Sequence, residues 1–399
     1  MSKALGMRCV WGLCGVLVSV LALASVTRAE VSTDVSGSVL VFPKVVFTTN
    51  SDTVIEITNT SNNMVHAHCF YVNGAPDPFG NPLWQVTDFS LWLTKQQPTH
   101  WVASDGRQVN PADSFGSGGA GLDPGAVPPV APGFTGELKC VQVDVSGTPF
   151  GGNNLKGEAV ILTTGGDVSK HNAVAILANP DLAGDSPANQ LLLNNTPSND
   201  GEYNACPNQL YLDHFVDGTP NPVVQSLSPD DCTDGQCPIR TYLTLVPCSE
   251  DFENQIPSSV TVQFAIVNEL EQVFSASTTV ECWETTRLAD IDAPTGRCTL
   301  GAQAACTTDQ QCITATQGFC SKNSVFAVGT LGTGSAFTRI SPVDLDGGVI
   351  GVAEEYHYTD GGTSARAAWN LQQAGNRFDA TVDLPGGPVV DSITIPDSF

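Results

Sequence analysis

Four cysteines, at positions 298, 306, 312 and 320, are the residues whose grouping most directly indicates chemistry. They are spaced C-x7-C-x5-C-x7-C within "CTLGAQAACTTDQQCITATQGFC". Structural zinc sites draw on close C-x2–4-C pairs and redox sites on C-x-x-C, and neither pattern occurs here. No histidine lies in the segment. The spacing therefore favours two internal disulfides, with all three connectivities open and zinc as the alternative.

Two pairs of aspartates form a second chemical feature. Asp344 and Asp346 precede two glycines, and Asp290 and Asp292 have the same alternate spacing. Alternate carboxylates resemble the start of a Ca²⁺ loop, because hard cations take oxygen ligands. The third aspartate and the distant glutamate of an EF-hand are missing, and Asp and Gly are also ordinary turn residues. Calcium at these carboxylates is one expectation, and the absence of any cofactor is the other.

Aromatic and histidine side chains mark a third feature. On a strand over 88–95, Trp92 alternates away from the apolar residues and lies on the other face. An exposed ring there would stack on a sugar, whereas a buried ring would fill the core. His66 and His68 share one face of a strand over 64–74. They offer two metal ligands or, alternatively, two partly exposed histidines on an outer face.

Catalytic motifs are absent from the sequence. It contains no G-x-S-x-G elbow, no H-E-x-x-H and no phosphate-binding G-x-x-x-x-G-K-[ST]. The segment "GTGSAF" over 332–337 is similar to the aspartic-protease turn, but Gly332 replaces the aspartate which that chemistry needs. An active site spread over several loops leaves no such signature, so a secreted hydrolase on a β scaffold is retained as an alternative.

The N-terminus predicts a secretory signal peptide over residues 1–29. Lys3 and Arg8 precede an almost uninterrupted apolar run over 9–24, and small residues suited to cleavage end at Ala24 or, preferred, Ala29. The run is shorter than the ~20 residues that span a bilayer, which disfavours an uncleaved anchor. We expect a secreted or cell-surface protein with no membrane span after cleavage, and the periplasm as the alternative compartment.

The charge balance restricts the partners. After residue 29 the chain has 13 basic and 41 acidic residues, a net charge of −28. Nucleic acids and anionic membranes are recognised through Lys/Arg patches, so this acidic chain argues against both. A polysaccharide or another cell-surface protein is the expected kind of partner.

Eleven cysteines follow the predicted signal peptide, and in an oxidising compartment most should form disulfides. Besides the four at 298–320, we predict Cys69–Cys140 between two strands of opposite sheets. The short polar loop over 228–238 predicts Cys232–Cys237. Cys248 and Cys282 end strands that are expected to be neighbours, so we predict that they pair. The odd count then leaves Cys206 unpaired.

Period-2 alternation bounded by Gly, Pro, Asn and Asp predicts an all-β fold. Six segments between 38 and 164 predict one antiparallel sandwich. Strands over 208–218 and 239–248 and a hairpin over 260–282 begin a second. Strands over 349–359, 364–373 (with a helix as the alternative) and 376–385 complete it. We expect two antiparallel Ig-like or jelly-roll-type β-sandwich lobes with a disulfide-rich loop insert.

The predicted organisation follows from these segments. Residues 1–29 are the signal peptide, 30–165 the N-terminal β-sandwich, and 166–399 the second β-sandwich region. The Cys-rich insert occupies 293–322, because strands on both sides of it belong to one sheet system. The stretch over 104–133 is rich in Gly and Pro and predicts a long loop.

Two segments carry a family resemblance. The run "SGSVLVFPKV…DTVIEITNTSNNMVHAHCFYVNG…FSLWLTKQQPTHW", about 65 residues with its "I-x-I-x-N-T" strand, resembles the opening of Ig-like β-sandwich modules in bacterial secreted and surface proteins. The segment "C-T-T-D-Q-Q-C…G-F-C" over 306–320 is similar to short disulfide-knotted repeats of extracellular proteins. The resemblance implies a fold and a compartment, and no active site is carried over, since such modules host many functions.

The sequence thus predicts a secreted, acidic, disulfide-stabilised β-sandwich protein with a non-catalytic structural or binding role. One alternative is a carbohydrate-binding or adhesive protein, with Ca²⁺ as an optional cofactor, whose loop over 104–133 and Cys-rich insert contact the ligand. The other alternative is the secreted hydrolase. Which of these functions the aromatic and carboxylate side chains serve depends on where the fold places them.

Overall fold

The computed structural model describes residues 31–113, 121–178, 190–193, 203–222, 237–343, 347–359, 362–378 and 380–385. Of the described residues, 57% are strand and 5% are helix, which confirms the predicted all-β class. The described residues from Val31 onward form one compact unit. The predicted signal peptide lies outside the described residues, and among those residues no helix is long and apolar enough to cross a membrane.

The first region is built from one continuous antiparallel sheet. Its strand order is β5-β4-β7-β2-β3-β8-β9, with β6 beside β3 and with β10 joining β1 to β2. The strands are β1 (Val31–Ser32), β2 (Val39–Phe47), β3 (Ser51–Asn59), β4 (Val65–Asn73), β5 (Gln85–Leu93), β6 (Pro98–Val102), β7 (Phe134–Val143), β8 (Leu155–Thr163), β9 (Val168–Asn172) and β10 (Val174–Ile176).

Apolar residues at alternate positions explain why this sheet folds onto itself. Leu91 of β5 and Leu138 of β7 pack in one buried cluster with Ile57 of β3 and Ala159 of β8. The two halves of the sheet therefore enclose a common core. Cys69 of β4 and Cys140 of β7 form the predicted disulfide. They are register partners on adjacent strands, so the bridge joins neighbours within one sheet and does not cross between opposed sheets.

The second region contains a five-stranded sheet, order β16-β15-β21-β12-β24, and a four-stranded sheet, order β17-β13-β22-β23. A small sheet of order β11-β25-β14 accompanies them. The strands are β11 (Gln190–Leu193), β12 (Cys206–Phe215), β13 (Ile239–Pro247), β14 (Glu250–Asp251), β15 (Ser259–Asn268), β16 (Val273–Glu281), β17 (Glu284–Arg287), β21 (Ser335–Pro342), β22 (Val349–Thr359), β23 (Gly362–Asn370), β24 (Gln372–Phe378) and β25 (Ala380–Asp383).

The two larger sheets of this region face each other across a second core. Phe264 and Ile340 of the five-stranded sheet pack with Leu243 and Ala353 of the four-stranded sheet. The predicted hairpin is confirmed: β15 and β16 pair without interruption from Ser259–Glu281 to Val267–Val273. The segment for which a helix was the alternative, 364–373, is strand in β23 and β24.

A third cluster of buried side chains joins the two regions. It contains Val41 and Phe70 from the first sheet together with Val246 and Ile350 from the second region. β9 and β10 pair with strands of the first region, so that sheet extends past residue 165 to Ile176. The division into separate domains at residue 165 stays a prediction.

The cysteine-rich insert is a small sheet with a single helical turn. It comprises β18 (Gly296–Cys298), β19 (Ala305–Cys306), β20 (Cys320–Lys322) and helix α1 (Asp309–Thr314), and a 3-10 turn over Leu288–Asp290 precedes it. Cys298 pairs with Cys312 and Cys306 with Cys320, which confirms two internal disulfides and selects one connectivity. A second short helix, α2 (Val328–Leu331), follows the insert.

One disulfide prediction is wrong. Cys248 pairs with Cys206, which we expected to be unpaired, and Cys282 is a buried free cysteine. The prediction assumed that the strands ending at Cys248 and Cys282 are neighbours. β13 lies in the four-stranded sheet and β16 at the edge of the five-stranded sheet, so they are not. Cys237 is disulfide-bonded, and its predicted partner Cys232 lies outside the described residues.

Candidate binding cleft on the second sandwich

Trp92 lies on β5 with one ring face already covered. Its ring stacks on that of His66, with the centroids 4.0 Å apart and the planes at 7°. His66 is buried, and its Nδ1 lies 3.0 Å from the carbonyl oxygen of Asp144. Trp92 is half-buried. Contact between Trp92 and a ligand stays a prediction, and the ring face that stacks on His66 is closed to a ligand.

The histidine face of β4 is buried rather than partly exposed. His66 and His68 are 4% and 5% exposed. Nε2 of His68 lies 3.1 Å from the Asp88 carboxylate. Their neighbour on this face, Phe70, packs in the cluster shared with the second region. The outer-face interpretation is therefore wrong, because the second region covers this side of the first sheet.

The described aspartates of the calcium prediction have protein partners. Asp290 contacts the ammonium group of Lys322, and burial raises the pKa of Asp290 against the opposing effect of that lysine. Asp292 accepts hydrogen bonds from the Ser324 hydroxyl and, at 2.8 Å, from the Val325 N–H. Asp344 and Asp346 lie outside the described residues. Calcium at these positions stays a prediction.

Within the described ranges, one group of three side chains has its potential metal-binding atoms close together. It consists of Cys298, Cys306 and Cys312. All three sulfurs are in disulfides, and a disulfide sulfur is not the thiolate that metals bind. The structure thus favours the disulfide interpretation of this segment over zinc.

Several ionisable side chains form buried connections between elements. Lys44 of β2 contacts Glu354 of β22, which also contacts Arg366 of β23. Lys139 of β7 contacts Glu250 of β14. Burial works to lower the pKa of Lys139, but the nearby glutamates outweigh it and raise that pKa. These charges pair the first region with the second and are enclosed by protein.

An open cleft lies where β12, β15 and β21 reach one end of the five-stranded sheet. Its volume is about 530 Å³. We call it the aromatic cleft, and its main lining residues are Asp213, Phe215, Glu269, Ser335, Phe337 and Glu355. Register explains the grouping, because Phe337 of β21 pairs with Asp213 of β12 on one side and Val267 of β15 on the other.

Alternation places the aromatic rings on the outer face. In β12, Leu210 and Leu212 are buried, whereas Tyr211 is half-buried and Asp213 exposed. Phe337 is 39% exposed, and its ring centroid lies 5.5 Å from that of Tyr211. Successive strand residues point to opposite faces, so an apolar core on one side leaves these rings on the other.

Carboxylates flank the rings. Glu269 accepts hydrogen bonds from both the N–H and the hydroxyl of Ser335, each at 2.8 Å. These bonds lower the pKa of Glu269, so its carboxylate is ionised at neutral pH. Oε1 of Glu355 lies 2.6 Å from Nε2 of His357. The cleft therefore combines an apolar floor with negatively charged hydrogen-bond acceptors at its walls.

Two histidines hold the strands around the cleft. Nδ1–H of His214 donates to the carbonyl of Phe215, and its Nε2 accepts from the Thr338 hydroxyl, both at 2.9 Å. Burial lowers the pKa of His214, which keeps it neutral in this role. Nδ1 of His357 lies 3.2 Å from the amide oxygen of Asn221. His214 thus connects β12 to β21, and His357 connects β22 to the segment at Asn221.

Neither Phe215 nor Phe337 is a candidate binding residue by sequence pattern alone. A usable signal was present, because Tyr211, Asp213 and Phe215 alternate with buried residues inside a predicted strand. "GTGSAF" drew attention only as an incomplete protease turn. Its phenylalanine, Phe337, lines the cleft because β21 lies between β12 and β15.

Comparisons with known proteins do not place this chain in a family. No family model matches it, and no curated protein matches it. Among solved structures it is similar to the crystal structure of red sea bream transglutaminase, with 10% identity and a TM-score of 0.13. That match covers 85% of this chain and 30% of the transglutaminase chain. So low a TM-score carries no argument about fold or activity, and the cleft is interpreted from its own geometry.

Proposed function

We propose that this protein is a secreted or cell-surface, non-catalytic binding protein whose aromatic cleft takes a carbohydrate chain. The observation that carries the proposal is Phe337, a partly exposed ring on an open sheet face with carboxylates around it. Aromatic faces pack against the apolar faces of sugar rings, and carboxylates accept hydrogen bonds from sugar hydroxyls. A cleft of this kind selects by shape and hydroxyl geometry.

The compartment is supported by the cysteines and by the N-terminal sequence. Four disulfides join described cysteines, and such bonds persist in oxidising environments. The predicted signal peptide over 1–29 fits the same environment. The resemblance to Ig-like modules of bacterial secreted and surface proteins, itself a prediction, agrees with this placement. Calcium remains an optional part of the proposal.

The non-catalytic part of the proposal is supported by the ionisable groups. Glu137 and Lys139, whose pKa values are both raised, are fully buried between the two regions. Catalytic acids and bases in a cleft commonly have a pKa shifted towards neutrality, whereas the pKa of Glu269 is lowered, away from neutrality. In the aromatic cleft, Glu269 and Glu355 are held by Ser335 and His357, as suits fixed acceptors.

The test is polysaccharide binding by the mature protein, residues 30–399, measured by calorimetry against a panel of neutral polysaccharides. Phe337→Ala should weaken binding by roughly 30-fold, corresponding to about 2 kcal/mol for a central aromatic contact. Phe79→Ala is the matched control, because Phe79 is 90% exposed and does not line the cleft. Each titration is repeated with Ca²⁺ and with a chelator to test whether binding depends on calcium.

Two results would contradict the proposal. One is the absence of binding to every polysaccharide, and the other is Phe337→Ala binding as tightly as the unmodified protein. Release of reducing ends during the titration would favour the secreted hydrolase instead. Equal losses for Phe337→Ala and Phe79→Ala would place the contact outside the cleft.

A further inference from the structure

We propose that two copies of this chain associate through strand β16, paired antiparallel about a two-fold axis at Ser277. The proposal stands on the backbone and sequence of one edge strand. It does not depend on what the aromatic cleft binds.

Within the described ranges, the backbone of β16 makes hydrogen bonds only on the side that faces β15. β16 pairs only with β15 in the five-stranded sheet. The hairpin closes with the N–H of Asn268 donating to the carbonyl of Gln272 at 3.1 Å, and bonded pairs recur at every second residue from there. The backbone groups of Val273, Ser275, Ser277 and Thr279 therefore point away from β15. No backbone group of the described residues bonds to them.

Three other edge strands in the described part of the chain, β5, β9 and β23, make contacts on their outer sides. On β5, the N–H of Trp92 donates to the carbonyl of Pro124 in the following loop. β9 and β23 lie against each other, and the Asn370 side chain bonds to the Asn172 backbone in both directions, at 3.0 and 2.8 Å. Covering an edge prevents it from pairing with another strand. Among the described residues, no hydrogen bond of this kind covers β16, although Thr279 and Glu281 line a pocket with Pro76 and Pro82 of the first region.

The sequence of β16 also lacks the usual protective residues. Natural edge strands carry charges, proline or a bulge that block pairing with another chain. "VFSASTTVE" has none of these before Glu281, and its register with β15 is unbroken over nine pairs. Val273 is 69% exposed at its start. A regular, uncharged edge of this length is suited to receive a second strand.

A second copy of the same strand fits this edge. With the axis at Ser277, Ser275 faces Thr279 of the second copy, and their hydroxyls can hydrogen-bond across the pair. On the inner face, Phe274 is opposite Val280 of the second copy, which extends the apolar layer. The outward backbone groups of both copies meet in this register, because all belong to odd-numbered positions.

Charge selects this register over its neighbours. Moving the axis by one residue towards the hairpin turn would place Glu271 opposite Glu281 of the second copy. Like charges directly opposite destabilise a strand pair. Moving the axis by one residue away from the hairpin turn would shorten the run of paired residues. The axis at Ser277 therefore gives the longest pairing without opposed carboxylates.

The pairing would merge the two five-stranded sheets into one of ten strands. The two-fold axis is perpendicular to such a sheet, so both aromatic clefts lie on the same face. β21 and its symmetry mate are five strand spacings apart, roughly 24 Å at about 4.8 Å each. Resting on the proposed function, this arrangement would let one polysaccharide chain engage two clefts.

The test is the mass of the mature protein in solution by sedimentation equilibrium. Ser277→Pro removes the outward N–H that the pairing needs while leaving the bonds to β15 intact. Ser277→Lys places two ammonium groups opposite each other. Gln263→Lys is the matched control, because Gln263 is exposed and is the register partner of Ser277 one strand further in.

We expect dimers for the unmodified chain and for Gln263→Lys, and monomers for Ser277→Pro and Ser277→Lys. Circular dichroism checks that each variant is folded, and Ser277→Lys remains informative if Ser277→Pro does not fold. A monomeric unmodified chain, or dimers that persist in Ser277→Lys, would overturn the proposal. Ser277→Lys should keep its affinity for a short oligosaccharide, so failure of the dimer and failure of the cleft proposal are distinguishable.

Discussion

Arg240 and Asp309 form a buried, two-pronged ion pair that ties the cysteine-rich insert to the second sandwich. Nε of Arg240 lies 2.9 Å from Oδ2 of Asp309, and Nη2 lies 3.2 Å from Oδ1. Asp309 also accepts the N–H of Cys320 at 2.7 Å, which fixes helix α1 against β20. Asp217 accepts from Arg240 and Arg287 on the other side. The insert is thereby a rigid part of the second region.

This network predicts the effect of Asp309→Asn. Burial alone would raise the pKa of Asp309, but the charge and hydrogen bonds of Arg240 outweigh it and hold that pKa below its usual value. Removing the carboxylate leaves a buried guanidinium short of a counter-charge, which costs about 3–5 kcal/mol. Urea denaturation at neutral pH measures the loss. Asp105→Asn, at an exposed turn, should change stability by less than about 0.5 kcal/mol.

His171 predicts how stability depends on pH. It is buried on β9, and within the described ranges neither ring nitrogen has a hydrogen-bond partner. Burial lowers its pKa to about 4, with Glu354 opposing the shift and Lys44 and Arg366 adding to it. Between pH ~6.5 and ~4, His171 is therefore protonated in the unfolded chain but neutral in the folded chain.

Stability should therefore fall as pH decreases through that window, by about 3 kcal/mol from this group alone. His171→Leu should flatten the decline, because leucine has no proton to take up. Denaturation curves at neutral pH and near pH 4.5 measure the difference between the two proteins. An unchanged pH dependence in His171→Leu would show that other groups cause the loss.

Disulfide mapping distinguishes the Cys206–Cys248 bridge of the structure, with Cys282 free, from the Cys248–Cys282 pairing predicted from the sequence. Proteolysis under non-reducing conditions followed by mass spectrometry should recover a peptide linking 206 to 248. Opening this bridge with Cys206→Ser should cost about 4 kcal/mol under the chain-entropy model for a loop of 42 residues. Recovery of a Cys248–Cys282 peptide would contradict the structure.

Cys282 itself should be inert in the folded protein. Burial raises the pKa of its thiol well above the ordinary value, assisted by the charges of Glu137 and Glu250. The thiolate is the reactive form, so an aromatic disulfide reagent should label this thiol only after unfolding. Cys282→Ser should remove that labelling. Rapid labelling of Cys282 in the native state would contradict its burial.

Trp92→Ala separates the two aromatic candidates. Because His66 covers one face of Trp92, truncation should lower stability by about 1 kcal/mol through lost stacking. Polysaccharide affinity should stay unchanged, in contrast to Phe337→Ala. Loss of binding in Trp92→Ala alone would move the binding site to the first sandwich.

Local pattern predicted much of the fold. Alternation over 260–282 predicted the β15–β16 hairpin, because apolar and polar residues alternate along a strand that has one buried and one exposed face. The spacing of Cys298–Cys320 predicted two disulfides in an insert, since neither a zinc knuckle nor a redox pair has that spacing. These features depend on residues close together in the chain.

Two features were decided by packing between distant segments. Whether the His66 face of β4 is outside or inside depends on the second region, which covers it. Whether Cys248 meets Cys206 or Cys282 depends on which sheet each strand joins. Neither choice is visible in the neighbouring residues, because a strand's sequence specifies its faces but not its partner strands.

By itself, then, the sequence determined an all-β, disulfide-bonded chain, the position of its cysteine-rich insert, and the alternation that turns Tyr211, Asp213 and Phe215 outward from β12. Only the tertiary structure decided that Phe337 and Glu355 join Asp213 and Phe215 in one cleft. The physical reason is that strand periodicity is local, whereas a cleft forms from strand ends that meet only when two sheets close on a shared core.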